Sequence, residues 1–328
     1  MEKIQSQFIK FHDAIRIDFD GSQPLRDKRD LVVGDLRDGL KRVFYSSYTP
    51  SFSYFNQGSY NLATGVQPIL YEDYDIDVGI VFNFSKNSYR PVQVKEWVYH
   101  ALNTVAARTV EIKRPCVRVQ YHKNAAKWFH VDLAIYSTDN YWGNELNHIA
   151  KGFIGSSEDK KIWELSEPFK LKELLKSKIT DSSDREQFRR IVRYLKRWKS
   201  YNFSSTVTGR PTGIALTACC YNLFTPQKYY VYSSYNYQYN DLKALHNVVT
   251  GMIGMFTWNN QISVKLPVQP YNDLFEKMTN NQMLSLKEKL LVLRDTLSSA
   301  WFSAVNELDP LSACVKLRKV FGHDFPIL

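Results

Sequence analysis

"GSYNLATGVQPILYEDYDIDVGIVF", residues 58–82, sets Asp73, Asp75 and Asp77 at alternate positions in a stretch that otherwise reads as a buried strand. Residues two apart on a strand share a face, so Asp75 and Asp77 are neighbours while Ile76, Val78 and Ile80 fill the opposite face against a core. Carboxylates about 6–7 Å apart at strand spacing repel one another, and in a low-dielectric cleft the repulsion grows to roughly a few kcal/mol. A bound cation reverses its sign. Downstream, "FHVDLAIY" repeats the pattern, with Asp132 between Val131 and Leu133. A single Asp-x-Asp is commonly an edge or capping feature that serves solubility. Two such strands, with a Gly58-Ser59 pair upstream, instead describe an oxygen-rich site suited to Mg²⁺ or Mn²⁺.

The rest of the chain bounds this reading. At 328 residues, 44% of them hydrophobic, it is long enough for two lobes with a substantial core. Its 43 Lys and Arg against 33 Asp and Glu give a net charge of +10, which favours an anionic ligand without specifying one. Cys116, Cys219, Cys220 and Cys314 show no Cys-x-x-Cys spacing, so neither a disulfide framework nor a zinc ribbon is expected. The start is amphipathic and charged, and nowhere do 18 uncharged apolar residues run together. These features lead us to expect a cytoplasmic protein with no membrane partner.

Helical spacing covers residues 2–18 and 25–45, with Ile4, Phe8, Phe11 and Ile15 on one face of the first. A strand is expected over 75–84, a helix in "RPVQVKEWVYHALNTVAAR", and a hairpin between Val117–Tyr121 and Trp128–Tyr136 around a polar turn at Lys123 and Asn124. His122 and His130 read as hairpin side chains. After about residue 160 long helices follow, one opened by a Ser183/Glu186 capping box, one beginning at Pro211, and two more after Asp241 and Ser285, the last ending near Gly322. The expected fold is α/β (α+β), a mixed front half at 1–160 and an all-helical lobe at 161–328, with the ligand cleft between them. Six tyrosines between Tyr229 and Tyr239 read as a surface loop packing its rings on its own lobe, with base stacking as the alternative.

Gly-Ser, then hydrophobic-Asp-x-Asp-hydrophobic, then a third hydrophobic-Asp-hydrophobic strand resembles the nucleotidyltransferases of the polymerase β type. "FNQGSY", "DYDIDVG" and "FHVDLAIY" are most similar to the bacterial CD-NTases, cGAS/DncV-like relatives of cyclic GMP-AMP synthase and oligoadenylate synthetase. Those enzymes are cyclic oligonucleotide synthases of CBASS anti-phage defence. The resemblance implies a polymerase β-like core with a helical lobe, and two Mg²⁺ ions, or Mn²⁺, held by Asp75, Asp77 and Asp132 as catalytic residues. It also implies a phosphate-binding turn at Gly58 and Ser59, flanked by Gln57. "RRIVRYLKRWK" is similar to the family's long helix, which implies that Lys196 meets the triphosphate. Lys199 is the competing choice on that helix, where seven basic residues face two acids over 184–199. Thr212 matches a further triphosphate position, with helix capping as the plain alternative, and Asp73 reads as an edge residue.

The implied substrates are nucleoside triphosphates, ATP and/or GTP. An accessory regulatory protein or an activating RNA would control the enzyme, and a downstream effector would be reached through the product. Linear nucleotidyl transfer and a catalytically silent nucleotide or RNA sensor stay open as alternatives.

Overall fold

The computed structural model describes residues 2–17, 22–45, 48–69, 73–105, 108–123, 126–141, 144–204 and 209–328. Asn124 of the expected hairpin turn lies outside them.

Strand β2 (Tyr74–Phe82) sits inside a seven-stranded sheet. It pairs antiparallel with β1 (Phe52–Asn56), which leads into the short helix α3 (Gly58–Asn61), and parallel with β5 (Ala126–Tyr141). The sixteen residues of β5 outlast any single neighbour, so its other edge is shared. Residues up to Leu133 pair with β4 (Val117–Lys123), which carries the edge strand β3 (Arg108–Ile112). Residues from Tyr136 pair with β6 (Asn144–Ala150), followed by β7 (Trp163–Ser166).

Strand alternation divides the sheet chemically. Ile76, Val78, Ile80 and Phe82 of β2, with Val131, Leu133 and Ile135 of β5, are fully buried on one face. They pack beneath α2 (Gln23–Val43) and α4 (Pro91–Leu102). These two helices cross closely at Gly39, where a Cβ would stand 2.2 Å from the Ala101 carbonyl oxygen. The opposite face carries Asp75, Asp77, His130 and Asp132, then passes to a small apolar cluster of Ala134, Tyr136 and Ile149 against Phe55 and Val81.

The second core is helical, built from α5 (Lys170–Lys178), α6 (Ser182–Asn202), α7 (Gly213–Leu223), α8 (Asp241–Gly254), α9 (Asn280–Val305) and α10 (Pro310–Phe321). α1 (Glu2–Ile15) belongs to this core as well, because its apolar stripe of Ile4, Phe8, Phe11 and Ile15 packs with Tyr194, Phe321 and Phe325. The packing therefore does not divide the chain at residue 160: the first helix crosses to the rear lobe. Asp241, fully buried, ties α6 to α8 by accepting from Arg190 at 2.6 and 2.9 Å, from Gln187 at 3.1 Å and from Tyr194 at 3.0 Å.

Four local expectations change. α6 is capped by Asp181, whose carboxylate accepts from the Asp184 backbone N–H at 2.9 Å, instead of by a Ser183 capping box. The rear half is not all-helical, since β7 and a two-stranded hairpin of β8 (Lys228–Val231) and β9 (Asn236–Tyr239) interrupt it. The final helical run breaks into α9 and α10, with Asp309 capping α10 through the Ser312 N–H. The tyrosines expected to pack on their own lobe lie on β8–β9 and mostly face outward, Tyr232 and Tyr235 being 81% and 84% exposed.

Candidate active site

Parallel register sets the geometry. Asp77 lies directly opposite Asp132, and Asp75 directly opposite His130, giving two rungs on one face of the sheet. Gly58 closes against the inner rung. Its φ is +61°, and a Cβ there would stand 2.0 Å from Asp77 Oδ2, so both backbone conformation and space require glycine. The Gln57 N–H donates to the Asp77 carbonyl at 3.0 Å, which holds the turn on the strand.

Each acid has a different environment. Arg118 of β4 forks onto Asp132, with Nε 2.7 Å from Oδ1 and Nη2 2.6 Å from Oδ2. His130 bridges the outer aspartates, with Nδ1 2.7 Å from Asp73 Oδ2 and Nε2 2.9 Å from Asp75 Oδ1. Burial, reinforced by the charges of Asp75 and Asp132, pushes the Asp77 carboxyl well above its ordinary range. For Asp75 the surrounding protein pushes upward, but contact with His130 outweighs it and the net shift is downward. Burial would lower the His130 imidazole, yet Asp73 and Asp75 raise it to about 9.

Asp73 is therefore more than an edge residue, since it anchors the imidazole. His130 is more than a hairpin side chain. Its place two residues before Asp132 put it on the acidic face by strand parity, which was the available sequence clue. Arg118 had no comparable clue, because pairing with Asp132 depends on the β4–β5 register.

The donor set fits a divalent cation. Asp75, His130 and Asp132 each offer a ligand atom within 4.8 Å of the others, and Asp77 stands beside Asp132 with a carboxyl raised by burial and then by the charges of Asp75 and Asp132. Hard oxygen donors crowded without full compensation are what Mg²⁺ or Mn²⁺ would relieve.

The remaining expected residues approach from two sides. Gln57, Gly58, Asp77 and Asp132 line a cleft of about 410 Å³, whose far wall includes Ile214 and Gln269. Gln57 Oε1 and Tyr136 OH, which also line it, are buried without a hydrogen-bond partner among the described residues. Lys196 donates to the carbonyl and hydroxyl oxygens of Thr64, each at 3.0 Å, and the Thr64 N–H donates to the Ser59 carbonyl at 2.8 Å. This chain of contacts joins α6 to the Gly58-Ser59 turn. Burial first, then the neighbouring Lys199 and Arg193, lower the Lys196 ammonium to about 7. Thr212 caps α7, its hydroxyl accepting from the Ala215 N–H at 3.2 Å.

A mixed sheet bearing this acidic face, joined to a helical lobe across a cleft, defines the polymerase β-like nucleotidyltransferase fold. Residues 52–136 match the family described as "Cyclic GMP-AMP synthase DncV-like, nucleotidyltransferase domain". A "Cyclic GMP-AMP synthase" of Escherichia albertii is 27% identical over 184 residues, which are 55% of this chain and 38% of that relative. The match thus spans well under half the length of the curated relative. Among solved structures, Vibrio cholerae DncV cyclic AMP-GMP synthase in complex with the linear intermediate 5′ pppA(3′,5′)pG superposes with a TM-score of 0.67 at 18% identity. That superposition covers 96% of this chain and 93% of the other. The Vibrio cholerae di-nucleotide cyclase in complex with GTP and 5MTHFGLU2 gives a TM-score of 0.68 at 18% identity over the same shares. Among the described residues, no helix is long and apolar enough to cross a membrane.

Proposed function

We propose that the protein is a divalent-metal-dependent nucleotidyltransferase that joins nucleoside triphosphates, ATP and/or GTP, into a cyclic di- or oligonucleotide and releases pyrophosphate. The product would serve as a cytoplasmic second messenger of anti-phage defence. The observation that carries this reading is the rung of Asp77 opposite Asp132 with Gly58 wedged against it.

Asp75 and Asp77 would hold two Mg²⁺ ions, with Asp132 joining them at one. Bound there, the ions would neutralise charge on the leaving pyrophosphate and ease ionisation of the attacking hydroxyl. Arg118 fixes the orientation of Asp132, and because a carboxylate offers about four lone-pair sites, the fork leaves sites for a cation and for the proton of the attacking sugar hydroxyl. The Gly58 backbone lies exposed beside the acids with no Cβ over it, so a phosphate could approach closely. Lys196, held near neutrality by burial, would gain its proton as a triphosphate arrives and leave Thr64 for it. Gln57 would take a polar edge of the nucleotide, and Thr212 would add a hydroxyl at the α7 N-terminus.

Asp77→Asn tests the assignment. It should retain the wild-type fold and melting temperature, since it relieves crowding, while pyrophosphate release falls at least about 10³-fold. Release near the wild-type rate would refute the role given to Asp77.

A further inference from the structure

The acidic face holds four carboxylates, Asp73, Asp75, Asp77 and Asp132, and the cleft reading employs three of them. Among the described residues the fourth meets that machinery through His130. The imidazole is buried at 7% side-chain exposure, while Asp75 beside it is 57% exposed. A carboxylate so exposed would ordinarily turn freely about its side-chain torsions, but one of its oxygens is fixed 2.9 Å from Nε2.

The geometry points to His130 as a positioning residue: braced through Nδ1 by Asp73, it pins Asp75 Oδ1 and so presents Asp75 Oδ2 to a divalent cation. This inference rests on the nucleotidyltransferase reading. Nδ1 is committed to the Asp73 carboxylate by a hydrogen bond, while Nε2 meets Asp75 Oδ1 at ion-pair distance without hydrogen-bond alignment. His130 would act on the metal through Asp75 and not as a ligand itself, although it lies within ligand range of Asp132. Asp73 sets the plane of the ring, since its Oδ2 lies 2.7 Å from Nδ1. The arrangement also divides labour between the rungs: His130 orients Asp75 and Arg118 orients Asp132, while Asp77 is held by the wedge of Gly58. Partners of this kind around metal-binding carboxylates typically change metal affinity or activity by about 10- to 100-fold when removed.

The test compares wild type, His130→Phe, His130→Gln, Asp73→Asn and the Asp73→Asn/His130→Phe double variant. Mn²⁺ alone is titrated and its free fraction read by electron paramagnetic resonance, alongside the Mg²⁺ dependence of pyrophosphate release. His130→Phe should weaken Mn²⁺ binding about 10- to 100-fold, with a matching rise in half-activating Mg²⁺. His130→Gln, which restores one amide donor, should recover part of the loss. Asp73→Asn should weaken binding by a smaller factor and add nothing to His130→Phe. Should the phenylalanine variant fail to fold, the Gln and Asn variants carry the comparison. Mn²⁺ affinity within twofold of wild type in all the folded variants would overturn the inference and leave the enzymatic reading standing. A ¹⁴N coupling from directly bound imidazole on wild-type Mn²⁺ would also overturn it. A wild-type protein that neither binds Mn²⁺ nor releases pyrophosphate would sink the functional reading and this inference together.

Discussion

Gly58 shows how much one missing methyl group can decide. Replacement by alanine would strain a left-handed backbone and drive a Cβ to 2.0 Å from Asp77 Oδ2, so either the turn or the carboxylate must move. The backbone strain alone is about 1–3 kcal/mol, and a displacement near 1 Å at a reacting centre is worth about 10²-fold in rate. Gly58→Ala should thus melt lower than wild type and lose at least about 100-fold in pyrophosphate release. A variant with wild-type turnover would show that the turn is not locked to the acid. At this scale Asp75, Asp77, Asp132 and the Gly-Ser pair were legible because strand parity and a conformationally special residue are local properties. His130 carried the same parity but was set aside, since an imidazole in a hairpin has an ordinary structural explanation until its partners are known. The partner of Asp73 likewise depends on the β2–β5 pairing.

Between elements, α1 and α6 meet through a neutral histidine. Arg193 Nη1 stands 2.9 Å from His12 Nε2, and since a guanidinium cannot accept, the imidazole does. Burial first, then Arg193 and Arg190, lower its pKa from 6.5 to about 4, while Asp13, 3.4 Å from Nδ1, opposes weakly. The folded state therefore binds fewer protons than the unfolded state between pH 4 and 6.5. Stability from this group is fully present above pH 6.5 and is lost as pH falls towards 4, by up to about 3 kcal/mol for a shift of this size. Urea midpoints should drop more steeply across that window in wild type than in His12→Gln, and parallel profiles would contradict the assignment. The helices themselves were legible from 3.6-residue spacing, as in the Ile4, Phe8, Phe11 and Ile15 stripe. The lobe that stripe would join was not, because an apolar face names no partner. β6 and β9 escaped notice because strands such as "NELNHIA" and "NYQY" owe their existence to the edge they pair with.

For the molecule as a whole, the sheet supplies the acids and α6 reaches across to the turn beside them, with Arg193 and Arg197 gripping the Gly65 and Gln67 carbonyls just after the Thr64 that Lys196 contacts. Two lobes were legible from the change of pattern along the chain, but the return of α1 to the rear lobe and the exposed tyrosines of β8–β9 depend on tertiary packing. The central claim is that this cleft joins nucleotides through the carboxylates at positions 75, 77 and 132. The most direct measurement incubates the protein with α-³²P-labelled ATP and GTP and Mg²⁺, treats the products with phosphatase, and resolves what survives. A labelled, phosphatase-resistant product that disappears in Asp77→Asn and on chelation of Mg²⁺ is expected. Label that is wholly converted to inorganic phosphate, or a product that persists in Asp77→Asn, would contradict the claim.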